Sequence, residues 1–580
     1  MKKRIALLLA LVMLVMCASV ALAEGTCTGT ALGRNGDVTV EVTLDGDKIA
    51  AVAVTDHQET EGIGTIAIDA LPDAIVAAQS IAVDSVTGAT ITSDAILAAV
   101  ASALESAGLD PEAYRVAAAE TAEVSDEVIV SDEAYDVIVV GAGAAGLMAS
   151  VTAAEGGLKT LVLEKMPYLG GNMKISAGII QAAGTSIQAQ YGIEGDTVEA
   201  FMADDKNPDS PYETDYSTDD PVFTTIMYEG CRDMVEELVG RGMEFVDFEP
   251  ATPRYHIMTP ALYQGGNTLT NLLQSQGEAA GATYLVNAPA KELVTDDAGN
   301  VVGIIAEVDG QRVQYNCPAI ILCTGGFPSN NDLIREYYPQ YAELRSRASV
   351  GATGDGFLMA TAIGAGTRGM DTDQQMFFVS ADTDTDVPLL LTYCSAILVN
   401  QAGDRFVNED INYCLAARAT ALEEGQVAYI VFNEDIRQNR AEVQGYIDNG
   451  AVVEAESLEA LAEAIGTPNL VDTMAHYNEL VEAGADADFG RVVNFEPLTS
   501  DGSWYAIKVA PAIYNSYGGI AIDTDTHVLR EDGSVIGGLY AAGEVTGSPE
   551  VWEGFFYTTG NGQGLVYGKR AAQTILAERG

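Results

Sequence analysis

Positive charge is the scarcest feature of this sequence. Its 580 residues include 29 Lys and Arg against 84 Asp and Glu, which gives a formal net charge of −55. So large an acidic excess excludes a nucleic-acid-binding protein and argues against binding to anionic membrane surfaces, because both partners repel negative charge. A highly acidic surface also keeps a protein soluble.

Cysteine and histidine are scarce too, and their spacing limits the cofactors. The chain has 7 Cys and 4 His, and it contains neither a CxxC nor a CxxCH motif. The sequence therefore predicts no metal site and no covalently attached c-type haem. Cysteines that are scattered in this way are typical of small buried hydrophobes. Those that follow the first 23 residues are Cys27, Cys231, Cys317, Cys323, Cys394 and Cys414.

Long apolar runs are confined to the N-terminus. Residues 1–23 join a basic start to an apolar stretch and a small-residue end, which predicts a secretory signal peptide cleaved before Glu24. Cys17 leaves a lipoprotein as an alternative, and a retained anchor helix is another. No later run is long enough to span a bilayer. We therefore expect an exported, extracytoplasmic protein, at the cell surface, in the periplasm or secreted, with membrane association through the N-terminus as the open alternative.

A chain of 580 residues is too long for one core, so several domains are expected. Residues 24–103 predict a small α+β domain, because alternating strands flank Asp45-Gly46 as in a hairpin and helical stretches follow. Residues 104–133 are rich in Ala and Glu and lack strong periodicity, which predicts a linker.

A nucleotide-binding fingerprint opens the rest of the chain. A buried strand at 136–140 leads into GAGAAG, a helix pattern follows, and a second strand at 160–163 ends in an acidic residue. The glycines allow a pyrophosphate to approach the backbone at a helix N-terminus, and the acidic side chain can bind the ribose hydroxyls. The predicted contact positions are Gly141, Gly143, Ala145, Gly146 and Glu164.

Later motifs decide between nicotinamide and flavin. GGN at 170–172, SAG at 176–178, AIILCTGGF at 319–327 and GGLYAAGEVTG near the C-terminus occur in order. With these motifs, residues 134–580 resemble the FAD-dependent fumarate reductase and flavocytochrome c family, which also contains urocanate reductases and 3-ketosteroid Δ1-dehydrogenases. The resemblance implies a non-covalent FAD, and it adds to the predicted cofactor site Lys165, Gly171, Asn172, Ser176, Ala177, Gly178, Thr324, Gly325, Gly326, Asp355 and Glu544.

The same resemblance implies an α/β fold with an inserted domain. A Rossmann-like FAD-binding domain is expected in two parts, 134–375 and 506–580, and an α+β capping domain for the substrate lies between them at 376–505. In this family the active site lies where the cap closes on the flavin.

The stretch DSVTGATITSDAI, residues 84–96, places five hydroxyls before a helix pattern. A capped turn is one interpretation. The other is a resemblance of residues 24–103 to the FMN-binding domain of sodium-pumping quinone oxidoreductases and extracytoplasmic flavin reductases. There an acidic residue followed by Ser or Thr, Gly, Ala, and Thr or Ser receives FMN phosphate from a flavin transferase. The match implies a covalent FMN, held as a phosphoester at Thr90, with Thr92 as the alternative acceptor.

The substrate-binding positions depart from the fumarate reductase branch of the family. RFVNE, Arg405–Glu409, is present, but the Arg that donates a proton eight positions after Arg405 is replaced by Tyr413. A carboxylate-binding Arg near the C-terminus falls on Tyr557. The remaining relay and substrate positions fall on Leu389, Thr392 and Asn515. Because a C4-dicarboxylate requires charge-assisted partners, these replacements argue against fumarate as the substrate.

Tyr413 and Tyr557 are the predicted catalytic residues. A phenol can donate a hydrogen bond to a carbonyl and can deliver a proton to an α-carbon. The alternative is that both tyrosines are packing residues. Arg254 and His256 are further polar candidates for the substrate site, although a surface-loop histidine is the ordinary interpretation of His256.

Together these features predict an exported flavoprotein oxidoreductase. Electrons are expected to pass from covalent FMN through FAD to the C=C bond of an α,β-unsaturated small molecule, enone- or acrylate-like, in anaerobic respiration. The expected partners are a membrane-bound or flavin-based electron donor and a flavin transferase for maturation. A ketosteroid-like dehydrogenase that works in the oxidative direction is one alternative, and a non-catalytic flavin electron carrier is another.

Overall fold

The computed structural model describes residues 25–34, 36–46, 48–59, 64–83, 89–115, 125–205, 221–245, 254–258, 265–371, 374–383, 385–387, 394–410, 413–547 and 560–579. The predicted signal peptide therefore lies outside the described residues. The chain divides into two compact units, Met1–Asp126 with Met166–Tyr168, and Glu127–Lys165 with Leu169–Gly580. Among the described helices, none has both the length and the apolar character needed to cross a membrane.

The first unit is a three-stranded antiparallel sheet covered by helices. Its strands, in spatial order, are Gly25–Leu32, Asp37–Asp45 and Lys48–Asp56. Gly46 turns the chain with a φ of +68°, which confirms the predicted hairpin. The helices are Gly64–Ala78 and Thr90–Ser106, followed by a 3₁₀ turn at Pro111–Tyr114. Alternate residues of the central strand, which include Val38, Val40 and Val42, are fully buried in this unit's core.

The second unit is built on a six-stranded, mostly parallel sheet. Val137–Val140 is completely buried, and the helix Ala144–Glu155 follows it as the glycine fingerprint predicts. An antiparallel strand lies at one edge. The spatial order is His527–Leu529, Val535–Ala541, Ile320–Leu322, Val137–Val140, Thr160–Leu163 and Thr283–Leu285. The carboxyl ends of the parallel strands lie on one side of such a sheet, where nucleotides bind.

The predicted linker contains a strand, and to that extent the prediction was wrong. Ser125–Val130 is the edge strand of a four-stranded sheet, beside Gln311–Asn316. Ile129 and Val130 are 45% and 54% exposed. Because this edge strand has no regularly buried face, its sequence has no period that predicts a strand. The other strands of the sheet are Val301–Val308 and Ala290–Thr295.

A third sheet belongs to the region predicted as the capping domain. Trp504–Asn515 is its central strand and extends past the predicted domain end at residue 505. The boundaries 376 and 505 stay predictions. The strands that pair with Trp504–Asn515 are Arg345–Ser346, Gln375–Ser380, Ala428–Asn433 and Val452–Ala455, and Ile397–Val399 pairs with Ala428–Asn433.

Shorter elements complete the second unit. Two small ladders join Ile179–Gln181 to Tyr255–Ile257 and Thr367–Arg368 to Gly519–Ile520. Turns of 3₁₀ helix occur at Pro339–Tyr341, Glu424–Gln426 and Glu544–Thr546. The remaining helices are Gly171–Ile175, Ser186–Gln190, Val198–Asp205, Pro221–Gly240, Gly265–Ala280, Asn331–Tyr337, Asp355–Ala362, Tyr413–Ala421, Glu434–Asn439, Glu442–Asp448, Leu458–Ile465, Leu470–Ala483 and Asn561–Arg579.

A buried ion network fixes the RFVNE segment that precedes Tyr413. Arg405 forms two hydrogen bonds to Glu409, at 2.7 and 2.8 Å, and two to Asp486, at 3.0 and 3.5 Å. Arg491 lies 3.4 Å from Glu409, and both side chains are completely buried. Arg491 also donates to the carbonyl oxygens of Ala396 and Cys394. These contacts compensate the charges of Glu409 and the two arginines, which would be unfavourable to bury without partners.

We expect Arg491→Met to lower the free energy of unfolding by about 3–5 kcal/mol, because it leaves the buried Glu409 carboxylate undercompensated. Urea unfolding measures the loss. The matched control is Arg335→Met, which removes an ion pair to Asp332 whose two side chains are largely exposed; this change should have little effect. Equal losses in the two variants would contradict the network's role.

His527 ties the sheet edge to the C-terminal helix. Its Nδ1 lies 2.9 Å from Asp523 and its Nε2 lies 2.8 Å from Glu578. Burial lowers the pKa of His527, but the hydrogen bonds to Glu578 and Asp523 outweigh that effect, and the pKa stands above its ordinary value of 6.5. Both ring nitrogens therefore donate, and the imidazolium form stabilises the fold.

The stability contributed by His527 should depend on pH. Because its folded-state pKa is raised, this contribution is fully present below pH about 6.5 and is lost as the pH rises through the folded-state pKa. We expect the urea midpoint to fall more steeply in the wild type than in His527→Gln as the pH rises above about 6.5. Parallel profiles for the two proteins would show that His527 does not couple folding to pH.

Candidate cofactor and active site

Two of the hydroxyls that follow the predicted FMN attachment point are buried. Thr90 is the first residue of the helix Thr90–Ser106, while residues 84–88 lie outside the described chain. Thr92 is only 3% exposed, and its hydroxyl donates to the buried carboxylate of Glu59. Ser93 is completely buried and donates to the carbonyl oxygen of Ala89 at 2.9 Å. Because a modifying enzyme needs an accessible hydroxyl, these contacts disfavour Thr92 as the alternative acceptor.

The fingerprint loop of the second unit leaves room for a phosphate. A Cβ at Gly146 would lie 1.8 Å from the Gly141 carbonyl oxygen, so the turn closes tightly at that position. At Gly143, by contrast, the nearest described atom to such a Cβ is the Gly170 carbonyl oxygen, at 3.9 Å. This open space faces the start of the helix Ala144–Glu155, where backbone N–H groups and the helix dipole attract an anion. The loop therefore fits the pyrophosphate of FAD.

The predicted acidic residue lies next to this loop. Glu164 follows the strand Thr160–Leu163, is nearly buried, and accepts a hydrogen bond from the Ala142 backbone at 2.8 Å. Lys165, the next residue, donates to Asp355 at 2.6 Å and to Thr353 at 2.5 Å. The structure thus brings Glu164 to the glycine loop and pairs the predicted residues Lys165 and Asp355.

A second group of predicted cofactor residues converges on Glu544. Its carboxylate accepts hydrogen bonds from the Ser516 backbone at 2.9 Å and from Asn172 Nδ2 at 3.3 Å. Burial raises the pKa of this carboxyl to about 7, against the lowering effect of those hydrogen bonds. A Cβ at Gly326 would lie 2.4 Å from Glu544 Oε1, so only glycine allows this approach. The carboxyl can therefore exchange a proton near neutral pH.

The other predicted cofactor residues either carry a polar side chain or are glycines that leave open space beside the backbone. The Thr324 hydroxyl is buried and makes no hydrogen bond to any described group, which fits an acceptor supplied by a cofactor. At Gly325, φ is +71° and no described atom lies within 4 Å of a Cβ. Gly171 is likewise open, with φ of +50° and the Gly143 Cα at 3.6 Å. The described residues thus fit FAD.

The segment Ser176–Gly178 supports the same region. Asn561, at the start of the C-terminal helix, donates to Ser176 Oγ at 3.0 Å. A Cβ at Gly178 would lie 2.3 Å from the backbone of Gly265, and a Cβ at Gly265 would lie 2.6 Å from the Ala177 carbonyl oxygen. This close approach fixes the SAG motif against the N-terminus of the helix Gly265–Ala280.

Tyr413 lies near these cofactor motifs. It is half-buried and begins the helix Tyr413–Ala421. Burial raises the pKa of the neighbouring Tyr517 well above its ordinary value; Cys414, Tyr413 and Glu544 raise it further, and the Arg418 guanidinium opposes them. These side chains therefore lie within electrostatic range of one another. Tyr557, Leu389 and Thr392 lie outside the described residues, so the role of Tyr557 stays a prediction.

Three residues of this site escaped the sequence-based prediction. Tyr517 is 1% exposed and lies just after the long central strand, which ends at Asn515. Arg418 is 8% exposed, and its Nε donates to the Gln374 carbonyl oxygen at 3.0 Å. A single Arg within the apolar pattern CLAARATAL was the available signal for Arg418. No comparable local signal marks Gln374 or Tyr517.

Arg254 and His256 have structural roles. Arg254 pairs with Asp196 at 2.7 Å and lies over the ring of Phe201. His256 is completely buried, so the surface-loop interpretation was wrong. Burial lowers its pKa to about 4, and the neutral ring donates from Nδ1 to the Arg254 carbonyl oxygen while Nε2 accepts from Thr185 at 2.7 Å. Its neighbours Phe245 and Thr185 were too distant in sequence to reveal this burial.

Comparison with known proteins gives a uniform result. Residues 136–554 match the family model of the FAD binding domain, and residues 33–105 match that of the FMN-binding domain. The chain is 33% identical to the urocanate reductase of Eggerthella lenta over 540 residues, which cover 90% of this chain and 87% of that protein. It is 30% identical to the NADH:acrylate oxidoreductase of Vibrio harveyi, covering 90% of this chain and 58% of that protein.

A solved structure supports the same relationship. The open conformation of a flavocytochrome c3 fumarate reductase superposes with a TM-score of 0.65 at 30% identity, covering 77% of this chain and 78% of that one.

Proposed function

The chain belongs to the FAD-binding family of flavocytochrome c fumarate reductases and urocanate reductases, and we propose that it reduces the C=C bond of an α,β-unsaturated small molecule. Its family makes it an FAD-dependent oxidoreductase that acts on CH–CH groups. The substrate class is acrylate- or enone-like rather than a C4-dicarboxylate. The observation that carries this proposal is that Tyr413, the predicted proton donor, lies within electrostatic range of Tyr517, as Glu544 of the cofactor motif does.

The described residues supply the proton and hold the site. FAD, when bound, supplies the hydride that adds to the β-carbon. The Tyr413 O–H bond breaks as a C–H bond forms at the α-carbon, and solvent returns the proton to the phenolate. The buried network of Arg405, Glu409 and Arg491 fixes the segment that leads into Tyr413. Glu544 and Asn172 hold the neighbouring backbone through hydrogen bonds to Ser516 and Ser349.

The first unit is proposed to carry electrons to this site. The match of residues 33–105 to the FMN-binding domain supports FMN binding, and the motif around Thr90 supports its covalent attachment by a flavin transferase. A phosphoester bond prevents loss of the cofactor outside the cytoplasm, which fits the signal-like N-terminus. We place the protein in an extracytoplasmic anaerobic electron-transfer chain, with a membrane-bound or flavin-based donor.

A substrate panel tests the proposed activity. Protein loaded with both flavins is reduced with viologen and mixed anaerobically with acrylate, cinnamate, urocanate, fumarate and an enone such as 4-phenylbut-3-en-2-one. We expect reoxidation by one or more of the monoacids or the enone, and little by fumarate. Reoxidation by none of them would favour a non-catalytic electron carrier, and rapid reoxidation by fumarate alone would contradict the substrate class.

A further inference from the structure

Gln374 is a completely buried side chain whose amide lacks a hydrogen-bond partner within the described part of the chain. Its exposure is 0%, and neither Oε1 nor Nε2 bonds to any group that the structure describes. A buried donor and a buried acceptor that stay unmet destabilise a fold, since both lose their hydrogen bonds to water. Buried amides are therefore normally satisfied, and one that has no partner in the protein can be satisfied by a bound ligand or a water molecule.

Backbone contacts bring Gln374 to the predicted active site. It immediately precedes the strand Gln375–Ser380, whose first residue lies opposite Asn515. Its backbone carbonyl accepts the hydrogen bond from Arg418 Nε at 3.0 Å. Arg418 is on the helix that begins with Tyr413. Gln374 thus lies beside the two elements that carry Tyr413 and the Asn515–Tyr517 segment.

The chemistry of this pair suits one anionic group. Arg418 brings one nearly buried positive charge, and Gln374, whose backbone carbonyl Arg418 contacts, carries an amide N–H donor. A dicarboxylate would bring two negative charges. The positions that bind it in the fumarate reductase branch hold the uncharged residues Tyr413 and Asn515 in this sequence. One guanidinium matches one carboxylate.

We propose that Gln374 and Arg418 bind the single carboxylate of the substrate, so that this protein selects 3-substituted acrylates over neutral enones and esters. This inference rests on the proposed function, since it names the substrate class of that same site. Gln374 is a specificity residue here, and Tyr413 remains the proton donor.

Binding of a saturated product analogue tests the inference without turnover. Calorimetric titration of FAD-loaded protein with 3-phenylpropanoate and with its methyl ester measures the preference for a carboxylate. Gln374→Met keeps the side-chain length but removes both polar atoms. We expect the wild type to bind the acid more tightly than the ester, and Gln374→Met to weaken acid binding about tenfold, which corresponds to one charge-assisted hydrogen bond, with no change for the ester. FAD content, measured by absorbance, should be unchanged.

Several results would overturn the inference. One is equal binding of the acid and the ester by the wild type, and another is equal weakening of both by Gln374→Met. A third is that Gln374→Met loses FAD but still binds the acid, which would assign the amide to the flavin. Turnover of cinnamate and methyl cinnamate in the same preparation separates the two proposals. If the acid binds through Gln374 but neither compound is reduced, the proposed function is wrong while the carboxylate site stands.

Discussion

Tyr413→Phe is expected to lower kcat by about 10²- to 10⁴-fold with FAD still bound, because the phenol is the proposed proton donor and proton transfer contributes an effect of that size. Phenylalanine keeps the ring and the packing of the half-buried side chain and removes only the O–H group. Viologen-driven turnover of the best substrate in the panel measures the effect. Flavin absorbance in the same sample measures FAD content.

The matched control for this prediction is Tyr429→Phe. Tyr429 is another half-buried tyrosine of the second unit, on the strand Ala428–Asn433, and its loss should leave kcat unchanged. If Tyr413→Phe also turns over at the wild-type rate, Tyr413 is a packing residue and the proton comes from another group. An equal loss in the two variants would indicate a general effect on folding.

Thr90→Ala is expected to abolish covalent FMN completely. Protein matured with a flavin transferase should exceed the mass of its polypeptide by one FMN less one water, and this increment should be missing from the variant. Turnover driven by the physiological donor should fall with it, whereas viologen-driven turnover, which can reduce FAD directly, should persist. Intact-protein mass spectrometry and the two assays together separate attachment from catalysis.

Two variants control for side effects on the attachment segment. Thr90→Ser keeps a hydroxyl at the same position and should keep the increment. Thr92→Val removes a buried hydroxyl that bonds to Glu59 and should also keep it. An increment that survives in Thr90→Ala would assign the phosphoester to another hydroxyl, and its loss in Thr92→Val alone would move the site to Thr92.

The sequence predicted those parts of the structure that depend on local chemistry. The hairpin at Gly46 and the strand–glycine–helix unit at Val137–Glu155 were predicted because particular φ angles and close backbone contacts require glycine at fixed spacing. The family resemblance predicts Asn172 and Glu544 as cofactor residues, and the structure places these two side chains 3.3 Å apart.

What the sequence did not reveal depends on contacts between distant segments. His256 looked like a loop residue because its burial arises from Thr185 and Phe245, far away in the chain. Gln374 and Tyr517 have no local pattern, since only the packing of the helix Tyr413–Ala421 against the sheet makes them part of a site. Ser125–Val130 was missed for the same reason, because an edge strand needs only a partner and no buried face.

The central strand Trp504–Asn515 limits how the cap can be separated from the rest of the molecule. On both sides of residue 505 it keeps an unbroken antiparallel register with Ala428–Asn433, and farther along it pairs with Gln375–Ser380. A fragment cut at 376 and 505 would lose residues 506–515, which are ten of the strand's twelve residues. Such a fragment would leave three strands without half or more of their pairing to Trp504–Asn515, and it would aggregate through the exposed edges rather than fold alone. A hinge for cap opening at residue 505 is excluded as well, because bending there would break the ladder, so excision or cap-swapping experiments need joints outside this strand.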